Sequence, residues 1–193
     1  MALSIYVIGF NNTNSQVLEE IAVLVSEAFN ANVRALSDGS VPSEFIDTFR
    51  NQYRAEEVLN WVYGKWGGER MVLAIIEGDG YVEGLNFVFG VASPQLNVAL
   101  VFTYRLKLWI RSEDISRHVF IERLRKEVMH EIGHVLGLRH CSNPSCVMFF
   151  SNTIFDTDRK TWKYCSNCAK KLRSLGVVLS HAYVLDRSVN RTY

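Results

Sequence analysis

The chain has 193 residues, 48% of them hydrophobic and 21% charged, with a formal net charge of +1 at pH 7. That length and apolar content suffice for one domain with a buried core, and the near-neutral balance argues against broad attraction to nucleic acid or to an anionic membrane surface. No apolar stretch reaches the ~20 residues needed to span a bilayer, and Met1 to Phe10 lacks the basic start and long apolar run of a signal peptide, so a cytoplasmic location is expected.

Ser4 to Phe10 reads instead as a buried strand. Ser15 to Phe29 carries apolar residues at Val17, Leu18, Ile21, Leu24, Val25 and Ala28, a helical period, with Asn14 or Ser15 available as N-cap. Asn32 to Leu36 reads as a short strand, Gln52 to Tyr63 as a second helix and Met71 to Ile76 as a buried strand. Leu85 to Ala92 and Val98 to Tyr104 read as strands around the turn residues Ser93-Pro94-Gln95. A long helix is expected from about Ser116 to Leu136, its apolar stripe formed by Phe120, Leu124, Val128, Ile132 and Val135 or Leu136. A basic helical stretch follows near Ala169 to Ser174. Strands alternating with helices predict an α/β (α+β) fold with a mixed, mostly parallel sheet, one antiparallel edge strand, backing helices and a small loop-rich C-terminal part. The expected organisation is a single domain over 1–193, with an N-terminal subdomain over 1–139 that includes the long helix and a C-terminal subdomain over 140–193.

The stretch His130-Glu131-Ile132-Gly133-His134-Val135-Leu136-Gly137-Leu138-Arg139-His140 has the pattern H-E-x-x-H-x-x-G-x-x-H. His130 and His134 lie about one helical turn apart on one face, so both imidazoles can reach a single Zn²⁺ at ~2.0–2.1 Å. Glu131 projects beside them as a carboxylate base. Gly137 can take positive φ and end the helix, bringing His140 to a third ligand position. Three protein ligands leave a fourth site for water, as in a catalytic zinc centre. A chance match to all five fixed positions has a probability of about 10⁻⁵ in a chain of this composition.

All four cysteines follow: Cys141 and Cys146 form C-x4-C, and Cys165 and Cys168 form C-x-x-C. Two chelating pairs separated by a modest loop fit a closed structural zinc site of four thiolates. Two disulfides are the alternative, disfavoured by a non-secretory chain. A thioredoxin-like redox role is less apt, since no strand of that fold precedes Cys165-Ser166-Asn167-Cys168. His118 and His181, the latter following Leu179-Ser180 in a strand-like tail, are expected to have no metal role.

The run from His130 to Cys168, with Met148 two residues after Cys146, resembles the archaemetzincin family of metzincin zinc metalloproteases, and Arg50-Asn51-Gln52-Tyr53-Arg54-Ala55 also looks like a family segment. The resemblance implies a metzincin-like fold and two Zn²⁺ per chain. His130, His134 and His140 would hold the catalytic ion, Cys141, Cys146, Cys165 and Cys168 the structural one, and Met148 would form the apolar turn beneath the catalytic metal. Glu131 would be the general base that activates a zinc-bound water for peptide hydrolysis. Some metzincins place a tyrosine two residues after this methionine to assist the oxyanion; here Phe150 stands there. Leu85 to Ala92 is the candidate edge along which an extended substrate pairs, or else an ordinary core strand with Gly90 as a bulge.

The expected partners are a peptide or an unstructured protein substrate, with no nucleic acid and no membrane, and the chain is expected to be a monomer. No cysteine precedes Cys141, so no cysteine switch is expected. An unrestrained cytoplasmic protease would be hazardous, and narrow specificity is therefore expected. The alternatives are a catalytically weak or inactive zinc-dependent peptide-binding module, against which the intact Glu131 speaks, and a zinc-ribbon nucleic-acid binder, against which the charge speaks.

Overall fold

The structure, a computed structural model, describes residues 3–109 and 113–185. In chain order its elements are β1 (Ser4–Phe10), α1 (Ser15–Phe29), β2 (Asn32–Ser37), β3 (Ile46–Asp47), β4 (Gln52–Arg54), α2 (Ala55–Trp66), β5 (Met71–Ile76), β6 (Gly80–Tyr81), β7 (Gly90–Ser93), β8 (Val98–Phe102), α3 (Glu113–Val135), α4 (Ile154–Arg159) and α5 (Ser166–Ser174). The main sheet has the order β2-β1-β5-β8-β7. Its neighbours run parallel except β7, which pairs antiparallel with β8 from Gly90↔Val101 to Ser93↔Val98. The mostly parallel sheet with one antiparallel edge is thus as the sequence predicts.

Side chains alternate across the sheet. Met71, Leu73 and Ile75 of β5 join the core shared with α1 and α3, while Val72, Ala74 and Ile76 join the opposite core against α2. Burial on both faces explains why β5 and β8 read as unbroken apolar runs. Asn14 caps α1 by accepting from the Gln16 amide at 2.8 Å, and Asn30 ends it in the left-handed region at φ 47°. The segment after α3 folds back onto the first core through Cys146, Met148, Tyr164, Leu172 and Leu179. Tyr164 donates to the Met129 carbonyl at 2.6 Å, anchoring it to α3.

Four expectations are corrected. Gln52-Tyr53-Arg54 is β4, not the start of a helix: its backbone pairs with β3 and β6, and this tertiary pairing overrides the local helical pattern. The edge strand covers Gly90–Ser93 rather than Leu85 to Ala92, because the carbonyls of Leu85 and Asn86 are taken by the side chains of Arg50 and Gln52 and are unavailable to a ladder. β8 stops at Phe102, where the amides of Thr103 and Tyr104 turn to the carbonyls of Ile76 and Gly78. The tail around His181 is a 3₁₀ turn, His181–Tyr183, rather than strand-like. Among the described residues no helix is long and apolar enough to cross a membrane.

Candidate metal centre and active site

α3 carries His130, Glu131 and His134 on its last turns and ends in a Schellman motif. The Leu138 amide donates to Gly133 O at 2.9 Å and the Gly137 amide to His134 O at 3.0 Å, with Gly137 at φ +91° and Leu138 buried. This turn reverses the chain and carries His140 back over the helix end. The ligating atoms of His130, His134 and His140 all lie within 4.8 Å of one another. His130 Nε2 and His134 Nε2 are 3.0 Å apart, close to the ~3.3 Å that two ligands of a tetrahedral zinc at ~2.0–2.1 Å require.

Ring orientation is fixed from behind. His130 Nδ1 stands 2.7 Å from the Val147 carbonyl and His134 Nδ1 2.9 Å from the Leu138 carbonyl. A carbonyl only accepts, so both Nδ1 atoms carry the proton and both Nε2 lone pairs point at the common centre. Desolvation depresses the His130 pKa well below its usual value, with Lys160 and His134 adding to the effect, and lowers those of His134 and His140 in the same way. The imidazoles are therefore neutral at pH 7, the form a metal needs. The donor set fits zinc.

Glu131 is 5% exposed and packs against the edge strand. A Cβ at Gly90 would lie 2.6 Å from Glu131 Cγ and 2.7 Å from its Oε1, so the carboxylate occupies space that only glycine leaves open. Burial pushes the Glu131 pKa well above the carboxylate range; Glu127 adds to this and Lys160 opposes it. The fully buried Met148 places its sulfur where a Cβ of Gly133, the residue before His134, would stand. Phe150 tilts over His140 with ring centroids 4.7 Å apart. A cleft of about 680 Å³ opens in front of these groups, walled by Phe87, Phe89 and Val91 on one side and Phe150 and Asn152 on the other.

The four cysteine sulfurs form a second group, again within 4.8 Å of one another. All are free thiols, and Cys141 Sγ to Cys165 Sγ is 3.7 Å. That separation is far beyond the ~2.05 Å of a disulfide and close to the ~3.8 Å between two thiolates of one tetrahedral zinc. A hydrogen bond from the Cys168 thiol, helped by the Cys165 and Met148 amides, brings Cys146 down to about 6, while the same bond raises Cys168. The two groups share a loop: Cys141 N donates to Met148 O at 2.9 Å, and Val147, which holds His130, lies between Cys146 and Met148. His118 and His181 belong to neither group.

Two clusters escape sequence reasoning. Glu127, one turn before Glu131 and lining the cleft, accepts from Thr157 Oγ1 and pairs with the fully buried Lys160 Nζ, each at 3.0 Å. Its place on the Glu131 face of α3 was readable; its partners, some thirty positions away, were not. The other cluster is built on Arg50 and Gln52.

Three neutral imidazoles turned on one point, a buried carboxylate beside them and a sheet edge along the cleft define a zinc-dependent metallopeptidase. The chain belongs to Peptidase family M54, whose model matches residues 9–174. Its relatives are archaemetzincins: that of Pyrococcus furiosus is 44% identical, covering 78% of this chain and 80% of its own. That of Nanoarchaeum equitans is 36% identical over 94% and 95%. The crystal structure of archaemetzincin from Methanopyrus kandleri superposes with a TM-score of 0.79 at 30% identity, covering 90% of this chain and 95% of its own. The Archaeoglobus fulgidus protein, complexed with malonate, gives 0.76 at 36% over 88% and 99%.

Proposed function

We propose that the chain hydrolyses peptide bonds with Glu131 as general base, with one zinc at His130, His134 and His140 and a second, structural zinc at Cys141, Cys146, Cys165 and Cys168. The observation that carries the reading is the convergence of two Nε2 lone pairs, each fixed by a backbone carbonyl behind its ring, beside a carboxylate that glycine alone admits. Zinc bound there would supply Lewis acidity, polarising a peptide carbonyl and acidifying a water. Glu131 accepts the water proton at a carboxylate oxygen and returns it to the leaving amine, a transfer suited to a carboxyl whose burial raises its proton affinity. Glu127, held by Lys160 and Thr157, lies one turn away on the cleft wall. The outer edge of β7 offers the main chain of Gly90–Ser93 to an extended peptide.

Narrow specificity for short or unstructured peptides follows from that four-residue edge, too short to hold a long strand. Four free thiols suit a reducing, cytoplasmic compartment, and the +1 net charge suits a monomer without nucleic-acid or membrane partners. Phe150 has no hydroxyl to offer an oxyanion, which favours the second reading, a catalytically weak or inactive peptide-binding module. The zinc-loaded protein and its Glu131→Gln variant, incubated with a diverse peptide mixture, decide by mass spectrometry. New termini from the parent alone are expected; none from either, with zinc bound, favours the module.

A further inference from the structure

The segment 85–89 forms one wall of the cleft, yet it belongs to no strand or helix. A segment without a continuous ladder needs other partners for its backbone: the amides of Leu85 and Val88 donate to Val82 O and Gly80 O, and the carbonyls of Leu85 and Asn86 are taken by side chains of Arg50 and Gln52. Arg50 Nη2 donates to Leu85 O at 3.0 Å and to Asn86 O at 2.7 Å, while Gln52 Nε2 donates to Asn86 O at 3.1 Å and to Asp79 Oδ2 at 2.9 Å. The two donors are locked to each other, since Arg50 Nε donates to Gln52 Oε1 at 2.9 Å.

Asp79 links this pair to a second cation. Arg105 grips its carboxylate with two nitrogens at 2.8–3.0 Å, and the Arg105 guanidinium lies 4.1 Å from the centre of the Phe87 ring. Phe87 in turn packs edge-on against Phe89, centroids 5.2 Å apart. The far end is seated as well: the Arg50 guanidinium lies 3.9 Å from the Tyr81 ring centre, and Asp47 accepts from the Tyr81 hydroxyl and from the Phe49 and Arg50 amides. Phe102 N then bonds Phe89 O at 2.9 Å, and the next residue, Gly90, opens the edge strand against Glu131. An unbroken series of directed contacts thus runs from β3, β4 and β6 to the wall of the cleft.

We infer that Arg50, Gln52 and Arg105 are positioning residues which hold segment 85–89 as a preformed apolar wall for the substrate and set where the pairing edge begins. The inference rests on the peptidase reading for its substrate, but not for its structural claim. The hydrogen bonds that Arg50 and Gln52 donate go to backbone carbonyls, to Asp79 and, from Arg50 Nε, to Gln52, and none goes to a residue of either metal-ligand group. With the carbonyls of Leu85 and Asn86 consumed, a peptide is left to pair from Gly90 onward and to rest an apolar side chain on Phe87 and Phe89. The small three-stranded sheet thereby serves as the mount of the clamp. A lysine at position 105 keeps the charge but lacks the fork that engages two carboxylate oxygens at once, and a lysine at position 50 loses the Nε bond to Gln52 that fixes the guanidinium beside the two carbonyls.

The test uses the full zinc-loaded chain and the variants Gln52→Ala, Arg50→Lys and Arg105→Lys. Hydrogen exchange of the 82–90 amides, read by mass spectrometry, is expected to accelerate about tenfold or more in Gln52→Ala and Arg50→Lys while the β5 amides keep their protection. For any peptide the parent cleaves, KM should rise about tenfold at near-constant kcat and unchanged zinc content, the signature of lost positioning rather than lost chemistry. Unchanged exchange at 82–90 in all three variants overturns the clamp, whatever the activity. Faster exchange with parental KM overturns its role toward substrate. A parent that cleaves nothing defeats the peptidase reading alone, since exchange still decides the clamp. General loss of β5 protection marks misfolding; Gln52→Glu, similar in shape but unable to donate from its end group, then takes the place of the failed variant.

Discussion

Gly90→Ala is the sharpest single perturbation of the catalytic geometry. The new methyl would stand 2.6 Å from both Leu100 O and Glu131 Cγ. Leu100 O belongs to β8, a fully buried strand paired on both sides, and cannot retreat. The edge strand at position 90 must therefore shift away from Leu100 O, and Glu131 must give way by about 1 Å, to restore ordinary contact on both sides. Crowding of this kind in a packed site costs about 1–3 kcal/mol, which at roughly 2–4 °C per kcal/mol for a chain of this size lowers Tm by several degrees. A misplacement of about 1 Å at a reacting group costs up to 10²-fold, so kcat/KM should fall about 10- to 100-fold. Zinc content should not change, because no histidine is displaced. Calorimetry, metal analysis and peptide cleavage on the same preparation give the three readings. Parental kcat/KM and parental Tm together would refute the close packing of Glu131 on the edge strand.

Glu131→Gln should retain zinc and lose turnover by two orders of magnitude or more, about the value of a positioned general base, checked by metal analysis beside cleavage rates. Lys160→Met leaves Glu127 buried and unpaired, and urea unfolding should show a loss of about 3–5 kcal/mol; adding Glu127→Leu should restore most of it. In the chelator-treated protein, the three depressed histidines bind protons more weakly folded than unfolded, so they contribute stability above pH 6.5 that is lost as pH falls through that value. The raised Glu131 acts oppositely, holding its proton in the folded state, and its stabilisation is lost as pH rises above 4.5. Metal-free Glu131→Gln should therefore gain on the parent in thermal scans as pH increases, and a pH-independent difference would contradict the burial of that carboxyl. Cys165→Ser with Cys168→Ser should weaken zinc at the three histidines about 10- to 100-fold, measured by competition with a chelating dye.

The histidine motif was legible because its geometry is local. Two ligands one turn apart and a glycine three residues later fix the arrangement within eleven residues, and the Schellman bonds at Gly137 and Leu138 are what that glycine allows. β5 and α1 were legible for the same reason, since a period of two or of 3.6 is written along the chain. Leu85 to Phe89 misled because its composition is that of a strand while the carbonyls of Leu85 and Asn86 are taken by side chains 34–36 positions away. Strands of two or three residues, such as β3, β4 and β6, are too short to show a period at all. Likewise, nothing near Glu127 announces Lys160.

These long-range contacts explain why the two cysteine pairs lie so close to the catalytic motif. His130 needs an acceptor behind its ring, and that acceptor, Val147 O, sits in a loop without regular structure. The loop is held by the Cys141–Met148 and Val147–Lys163 backbone bonds and by the sulfur cluster, in which Cys165 N donates to Cys146 Sγ at 3.2 Å. A metal among the four thiols would cross-link the two ends of that loop to α5, whose N-cap is Cys165. The orientation of a ring on α3 would then depend on an ion bound by another part of the chain. Loss of the cysteine site should consequently loosen His130 without unfolding the sheet, and hydrogen exchange should rise at 141–149 while β1 and β5 stay protected.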